Sequence, residues 1–114
     1  MLFVVGGIAS GKRKYLKSIG YTVDDMSKDI YSDKKVIYDA DLALLNEGLS
    51  PEAVFSIVKD KEVVTCHEVG SGVMPVNEKD RRYIEDTGKL SIMLAEKADK
   101  VVRVVCGIPM TVKG

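Results

Sequence analysis

The chain has 114 residues, of which 46% are hydrophobic and 30% charged, enough apolar material for one compact core and too much for a disordered chain. Lysine plus arginine equals aspartate plus glutamate, 17 against 17, so the formal net charge is zero. That balance argues against nucleic acid or an anionic membrane surface as a bulk partner, and any anion must be held by a local site.

Leu2 to Val5 is a continuous apolar run closed by Gly6-Gly7, which reads as a buried strand of a parallel sheet. The opening segment lacks a basic leader and is too short for a membrane span, so a cytoplasmic location is expected. Lys12 to Ile19 is helix-compatible and ends at Gly20, a C-cap residue. Tyr21-Thr22-Val23 reads as a second strand. Asp24-Asp25 and a polar stretch to Lys35 follow. Val36-Ile37-Tyr38 is a third strand, ending at Asp39, and Ala40 to Asn46 a short helix. Ser50-Pro51-Glu52 starts another helix, with serine at the N-cap and proline in the first turn. Glu62 to Cys66 is a fourth strand, and a glycine-rich loop runs from Glu68 to Pro75. Asn77 to Ala98 is the longest helical pattern, with a kink or break expected at Gly88. Val101 to Cys106 is an apolar strand. Gly107-Ile108-Pro109 turns the chain, and Met110 to Val112 adds an edge strand, the only kind of strand that tolerates a nearby proline. Strands alternating with helices imply an α/β fold with a mostly parallel sheet, built as one domain over residues 1–114. Cys66 and Cys106 have no metal spacing and are expected to be buried, reduced thiols.

The segment Gly6-Gly7-Ile8-Ala9-Ser10-Gly11-Lys12 matches G-x-x-x-x-G-K. A strand that ends in a glycine-rich loop opening a helix can curl main-chain amides around an anion, and Lys12 adds a mobile ammonium for terminal phosphates. The expected ligand is ATP or GTP, held by Gly6 through Lys12 with Arg13 beside them. Arg13 stands where the motif has Ser or Thr, whose hydroxyl ligates Mg²⁺, and a guanidinium repels a metal ion. An acidic residue at the end of a neighbouring strand serves Mg²⁺ in such folds. Asp39 is the first choice for that metal-binding and catalytic role, Asp41 the second and Asp24-Asp25 the third. His67 and Glu68 follow a buried strand, at the end where parallel sheets gather ligands. Glu68 joins Lys12 and Asp39 as a catalytic candidate.

The opening loop, Glu68-Val69-Gly70, Gly72, Pro75, Arg81, Tyr83, Gly88, Ala95, Ala98-Asp99, Val101, Gly107, Pro109 and Lys113 together resemble the adenosylcobinamide kinase / adenosylcobinamide-phosphate guanylyltransferase (CobU-type) family of cobalamin synthesis. The resemblance implies a P-loop α/β sheet assembled as a homo-oligomer, often a trimer. It also implies phosphorylation of a corrinoid, adenosylcobinamide, at its side-chain hydroxyl, and GMP transfer through a histidine-bound intermediate. This chain departs from the pattern in its shortened middle region, which has no histidine between Gly20 and Lys61. His67 stands where the family has Asn, Ser91 replaces an Asn, and Arg13 replaces the loop Ser.

Overall fold

The computed structural model describes residues 1–69 and 77–114. The expected glycine-rich loop from Glu68 to Pro75 lies outside the described residues from Gly70 onward. The elements run β1 (Leu2–Gly6), α1 (Lys12–Ser18), a 3-10 turn (Val23–Asp25), β2 (Met26–Ser27), β3 (Val36–Ile37), α2 (Leu42–Asn46), α3 (Pro51–Val58), β4 (Val63–His67), α4 (Glu78–Lys97), β5 (Lys100–Val105) and β6 (Ile108–Lys113). The strands form one six-stranded sheet in the order β2-β3-β4-β1-β5-β6. Every pairing is parallel except β5 with β6, which is antiparallel. The expected α/β architecture with a C-terminal edge strand is the one observed.

Apolar runs make the central strands because both faces of the sheet are covered. Phe3, Ile37, Val64, Cys66 and Val101 point to one face, where α2, α3 and α4 supply Leu44, Val54, Val58, Leu90 and Leu94. Val4, Val36, Val63, Val102 and Val104 point to the other, covered by Leu16 of α1 with Tyr15, Tyr21, Met26 and Tyr38. Ser50 caps α3 by accepting the Ala53 amide at 3.1 Å, and Asn77 caps α4 by accepting the Asp80 amide at 2.9 Å. α4 is one helix of 20 residues, without the break expected at Gly88. Its buried Thr87, Leu90 and Leu94 keep helical spacing, so the packed stripe continues past the glycine. Lys113 of β6 donates to the carbonyls of Ala95 and Glu96 at 3.0 and 3.2 Å, satisfying two groups of the last turn of α4.

Two further expectations are corrected. Tyr21-Thr22-Val23 is not a strand: Thr22 and Asp25 form a capping box that starts the 3-10 turn, and the strand follows at Met26. Cys106 is exposed rather than buried, whereas Cys66 is buried as expected. Cys106 and Gly107 are the two central residues of the β5–β6 hairpin, with φ of 51° and 76°. That left-handed pair matches the twist of the flanking strands and leaves the thiol in solvent.

Candidate functional site

β1, β3 and β4 end on the same edge of the sheet, and the loops leaving them carry Gly6 through Arg13, Asp39 to Asp41, and His67. The loop after β1 is compact. Ser10 N–H donates to Gly7 O at 3.2 Å, Ala9 takes φ of 56°, and Gly11 takes φ of 99° as it opens α1. Glycine is needed at two places. A Cβ on Gly6 would collide with Ser10 Oγ and lie 2.8 Å from Val104 O, and one on Gly11 would lie 2.9 Å from Gly107 Cα. The second contact is where the β5–β6 hairpin buttresses the loop, with Gly107 N–H donating to Ser10 O at 2.7 Å. Nothing in the spacing of the sequence marks that brace.

The amides of Ile8, Ala9, Gly11 and Lys12 have no protein acceptor among the described residues. Lys12 is buried, 3% exposed, and its ammonium donates to the carbonyls of Gly6 and Gly7 at 3.0 and 3.2 Å. Burial pushes the Lys12 ammonium below its ordinary pKa, an effect partly offset by the charges of Asp39 and Asp41. A cleft of about 360 Å³ opens here between Ala9 to Arg13 and Tyr38. Tyr38 was not singled out by the sequence. Its ring lies 5.0 Å from Arg13 Cζ and 5.9 Å from Lys12 Nζ, within cation–π range.

Asp39 sits at the end of β3 in a left-handed conformation, φ 56°, which aspartate tolerates. Its N–H donates to Thr65 Oγ1 of β4 at 2.8 Å, and the next amide, Ala40, donates to Thr65 O at 2.9 Å. The Asp39 carboxylate is 6% exposed and lies 3.9 Å from Lys12 Nζ, 3.7 Å from Lys28 Nζ and 3.8 Å from His67 Nε2. Its Oδ1 has no hydrogen-bond partner among the described residues.

Asp41 is fully buried and saturated. It accepts the His67 backbone amide at 3.1 Å, His67 Nδ1 at 2.8 Å and the Tyr83 hydroxyl of α4. Burial pushes its carboxyl up, but the hydrogen bonds from His67 and Tyr83 outweigh this and hold it below the usual carboxylate range. The hydrogen bond to Asp41 raises the His67 imidazole above its ordinary value against the opposing effect of burial. Burial and the Asp41 hydrogen bond raise the Tyr83 phenol.

The structure thus brings Lys12, Asp39, Asp41 and His67 together. It does not bring Glu68 or Asp24-Asp25 to them. Both Glu68 oxygens are engaged by Arg103, at 2.5 and 2.9 Å, in a separate cleft beside the loop tip. That pairing holds the Glu68 carboxyl low. Asp24 and Asp25 belong to the 3-10 turn, where Asp25 accepts the Thr22 amide at 2.9 Å.

The model of the family described as cobinamide kinase / cobinamide phosphate guanyltransferase (CobU) matches residues 43–112, more than half of the chain. The chain belongs to this CobU family. The matched stretch runs from α2 through β6 and so includes His67 and Tyr83, while the glycine-rich loop from Gly6 to Lys12 precedes it. The chain is also similar to the bifunctional adenosylcobalamin biosynthesis protein CobP of Pseudomonas aeruginosa, with 38% identity over 52 residues. That alignment covers 46% of this chain and 30% of the relative. In this CobU-family chain the donor set departs from one suited to Mg²⁺, which prefers several oxygen ligands. The loop hydroxyl is replaced by Arg13, both oxygens of Asp41 are already bonded, and Asp39 offers the one unpartnered buried carboxylate oxygen among the described residues.

Proposed function

We propose that the chain is a nucleotide-binding protein of cobalamin biosynthesis, taking the polyphosphate of ATP or GTP in the loop from Gly6 to Arg13. The observation that carries this reading is the set of unpaired loop amides beside a buried lysine. Ile8 and Ala9 are exposed, so their amides, with no protein acceptor, are open to water or to an anion that displaces it. Lys12 is desolvated and rests on two carbonyls, so it can exchange those contacts for phosphate oxygens without crossing open solvent.

The reaction is phosphoryl transfer to the side-chain hydroxyl of a cobinamide-type corrinoid. Such transfer depends on positioning and charge neutralisation more than on covalent chemistry. The loop amides and Lys12 hold the oxygens on which charge develops. Arg13, fixed against Tyr38, and the exposed Lys28 add positive charge at the mouth of the cleft. Asp39 faces the reacting end as the acidic member of the site. Glu68 acts through Arg103, bracing the loop wall, and its own N–H donates to Gly6 O at 2.9 Å. Guanylyl transfer has less support, because the middle region has no histidine between Gly20 and Lys61 and the chain's one histidine, His67, stands where the family has asparagine. The protein works as a homo-oligomer, a trimer by family likeness, in the cytoplasm. Among the described residues no helix is long and apolar enough to cross a membrane.

Arg13 favours a second reading, in which the chain binds nucleotide without transferring phosphate. One assay separates the two. The folded protein is mixed with ATP or GTP, a divalent ion and adenosylcobinamide, and product is followed by mass. Phosphorylated corrinoid supports transfer, and its absence despite nucleotide binding leaves the binding reading. Light scattering gives the oligomeric state.

A further inference from the structure

We propose that Asp39 Oδ1 and His67 Nε2 form a site for a borderline first-row divalent ion, of the Mn²⁺, Co²⁺ or Zn²⁺ kind, rather than for Mg²⁺. The proposal rests on the nucleotide-binding reading only in that bound phosphate oxygens would complete the coordination.

The two atoms lie 3.8 Å apart, too far for a hydrogen bond. Ligand bonds of about 2.1 Å to nitrogen and oxygen span that gap at an angle of about 130°. A closure of about 0.4 Å gives tetrahedral geometry at the same bond lengths. Asp39 Oδ1 is buried without a hydrogen-bond partner among the described residues, with only the longer ion-pair contacts to Lys12 Nζ at 3.9 Å and His67 Nε2 at 3.8 Å, so its lone pairs are available to a ligand. Asp39, Asp41 and His67 offer ligand atoms that all lie within 4.8 Å of one another.

His67 is already arranged as metal-bound histidines are. Its Nδ1 donates to a buried carboxylate at 2.8 Å, which fixes the tautomer and leaves the Nε2 lone pair for the ion. Tyr83, bonded to the same carboxylate, fixes Asp41 in turn. A nitrogen ligand shifts preference away from Mg²⁺, which favours oxygen, towards borderline ions. The loss of the loop hydroxyl to Arg13 points the same way. Two ammonium groups flank Asp39. Lys28 is 59% exposed and free to swing out, and Lys12 moves to phosphate when nucleotide binds.

The test uses the full chain and Co²⁺, whose visible absorption reports its ligands, with Mg²⁺ as competitor. The expected result is Co²⁺ binding at least tenfold tighter than Mg²⁺, with ligand-field bands. Both His67→Asn and Asp39→Asn should weaken Co²⁺ at least tenfold, and His67→Asn should leave Mg²⁺ affinity unchanged. Equal affinity for Co²⁺ and Mg²⁺, or Co²⁺ binding unaffected by His67→Asn, overturns the proposal. Should the variants fail to fold, the sole histidine of the unaltered protein serves instead. Zn²⁺ should shift its Nε2 nitrogen resonance, and an unmoved signal overturns the proposal. Nucleotide affinity measured in a chelator is independent of these results, so failure of either reading is separately visible.

Discussion

Replacing Asp41 by asparagine should cost about 2 to 4 kcal/mol of stability. Asp41 is 0% exposed and takes three donors, two at Oδ2 from His67 Nδ1 and Tyr83 and one at Oδ1 from the His67 amide. Asparagine keeps the shape but carries one acceptor oxygen. If that oxygen serves the side chains, the NH₂ group faces the His67 N–H, and a buried donor left without an acceptor costs roughly 1 to 3 kcal/mol. Charge-assisted bonds also become neutral ones, each weaker by about half. For a domain of this size, 2 to 4 kcal/mol lowers Tm by roughly 10 to 20 °C. The pH dependence changes as well. The carboxyl of Asp41 is held low, so its share of stability is present above about pH 4 and lost as pH falls further. The His67 imidazole is held high, so its share is present below about pH 6.5 and lost as pH rises through its folded value. Lys12 and Asp39 also face this imidazole, with smaller and opposite effects. Urea unfolding from pH 4 to 9 should therefore show the wild-type protein losing stability on the alkaline side and Asp41→Asn losing much less. A variant within about 0.5 kcal/mol of wild type, the scatter of unremarkable surface changes, would refute the reasoning, as would an unchanged pH profile.

Gly11→Ala should destabilise the fold by roughly 1 to 3 kcal/mol, because alanine must adopt a left-handed φ with its Cβ against Gly107. Chemical denaturation measures this, and a neutral result would mean that the hairpin does not brace the loop. Arg13→Ser restores the hydroxyl of the motif. Titration with nucleotide should then show affinity rising with Mg²⁺ by more than it does in the wild-type protein. A thiol reagent should modify Cys106 in the native protein and reach Cys66 only on unfolding, since burial pushes the Cys66 thiol well above its ordinary pKa. Two thiols reacting at once under native conditions would contradict the packing.

The strands were legible where apolar runs are buried on both faces, as at Leu2–Gly6 and Val63–His67. The tight loop between β1 and α1 was legible because its glycines and lysine stand close together in sequence. The place of Asp39 was legible for a similar reason, as the acid that follows a strand. What spacing could not reveal was partnership across elements. Glu68 reads as a catalytic candidate at a strand end, and its pairing with Arg103, on β5, is invisible to that reading. Asp41, His67 and Tyr83 come from three separate elements and meet only through the order of strands and the docking of α4. The Tyr21–Val23 segment carries strand-forming residues, but the local capping box of Thr22 with Asp25 decides its conformation. Gly88 suggested a break because propensity was read without packing, and the continuous buried stripe of Thr87, Leu90 and Leu94 overrides it.

The central claim is that main-chain amides and one ammonium at the start of the chain hold a polyphosphate. Lys12→Met keeps most of the buried aliphatic stem and removes the ammonium, with its charge and its donors to Gly6 O and Gly7 O; at about 4 Å from a phosphate that charge contributes up to about 4 kcal/mol before desolvation is subtracted. Calorimetric titration of both proteins with ATP and GTP should give an affinity at least tenfold weaker for Lys12→Met, with thermal unfolding little changed. Equal affinity in the two proteins, or no binding of either nucleotide by the folded wild-type chain, would contradict the account.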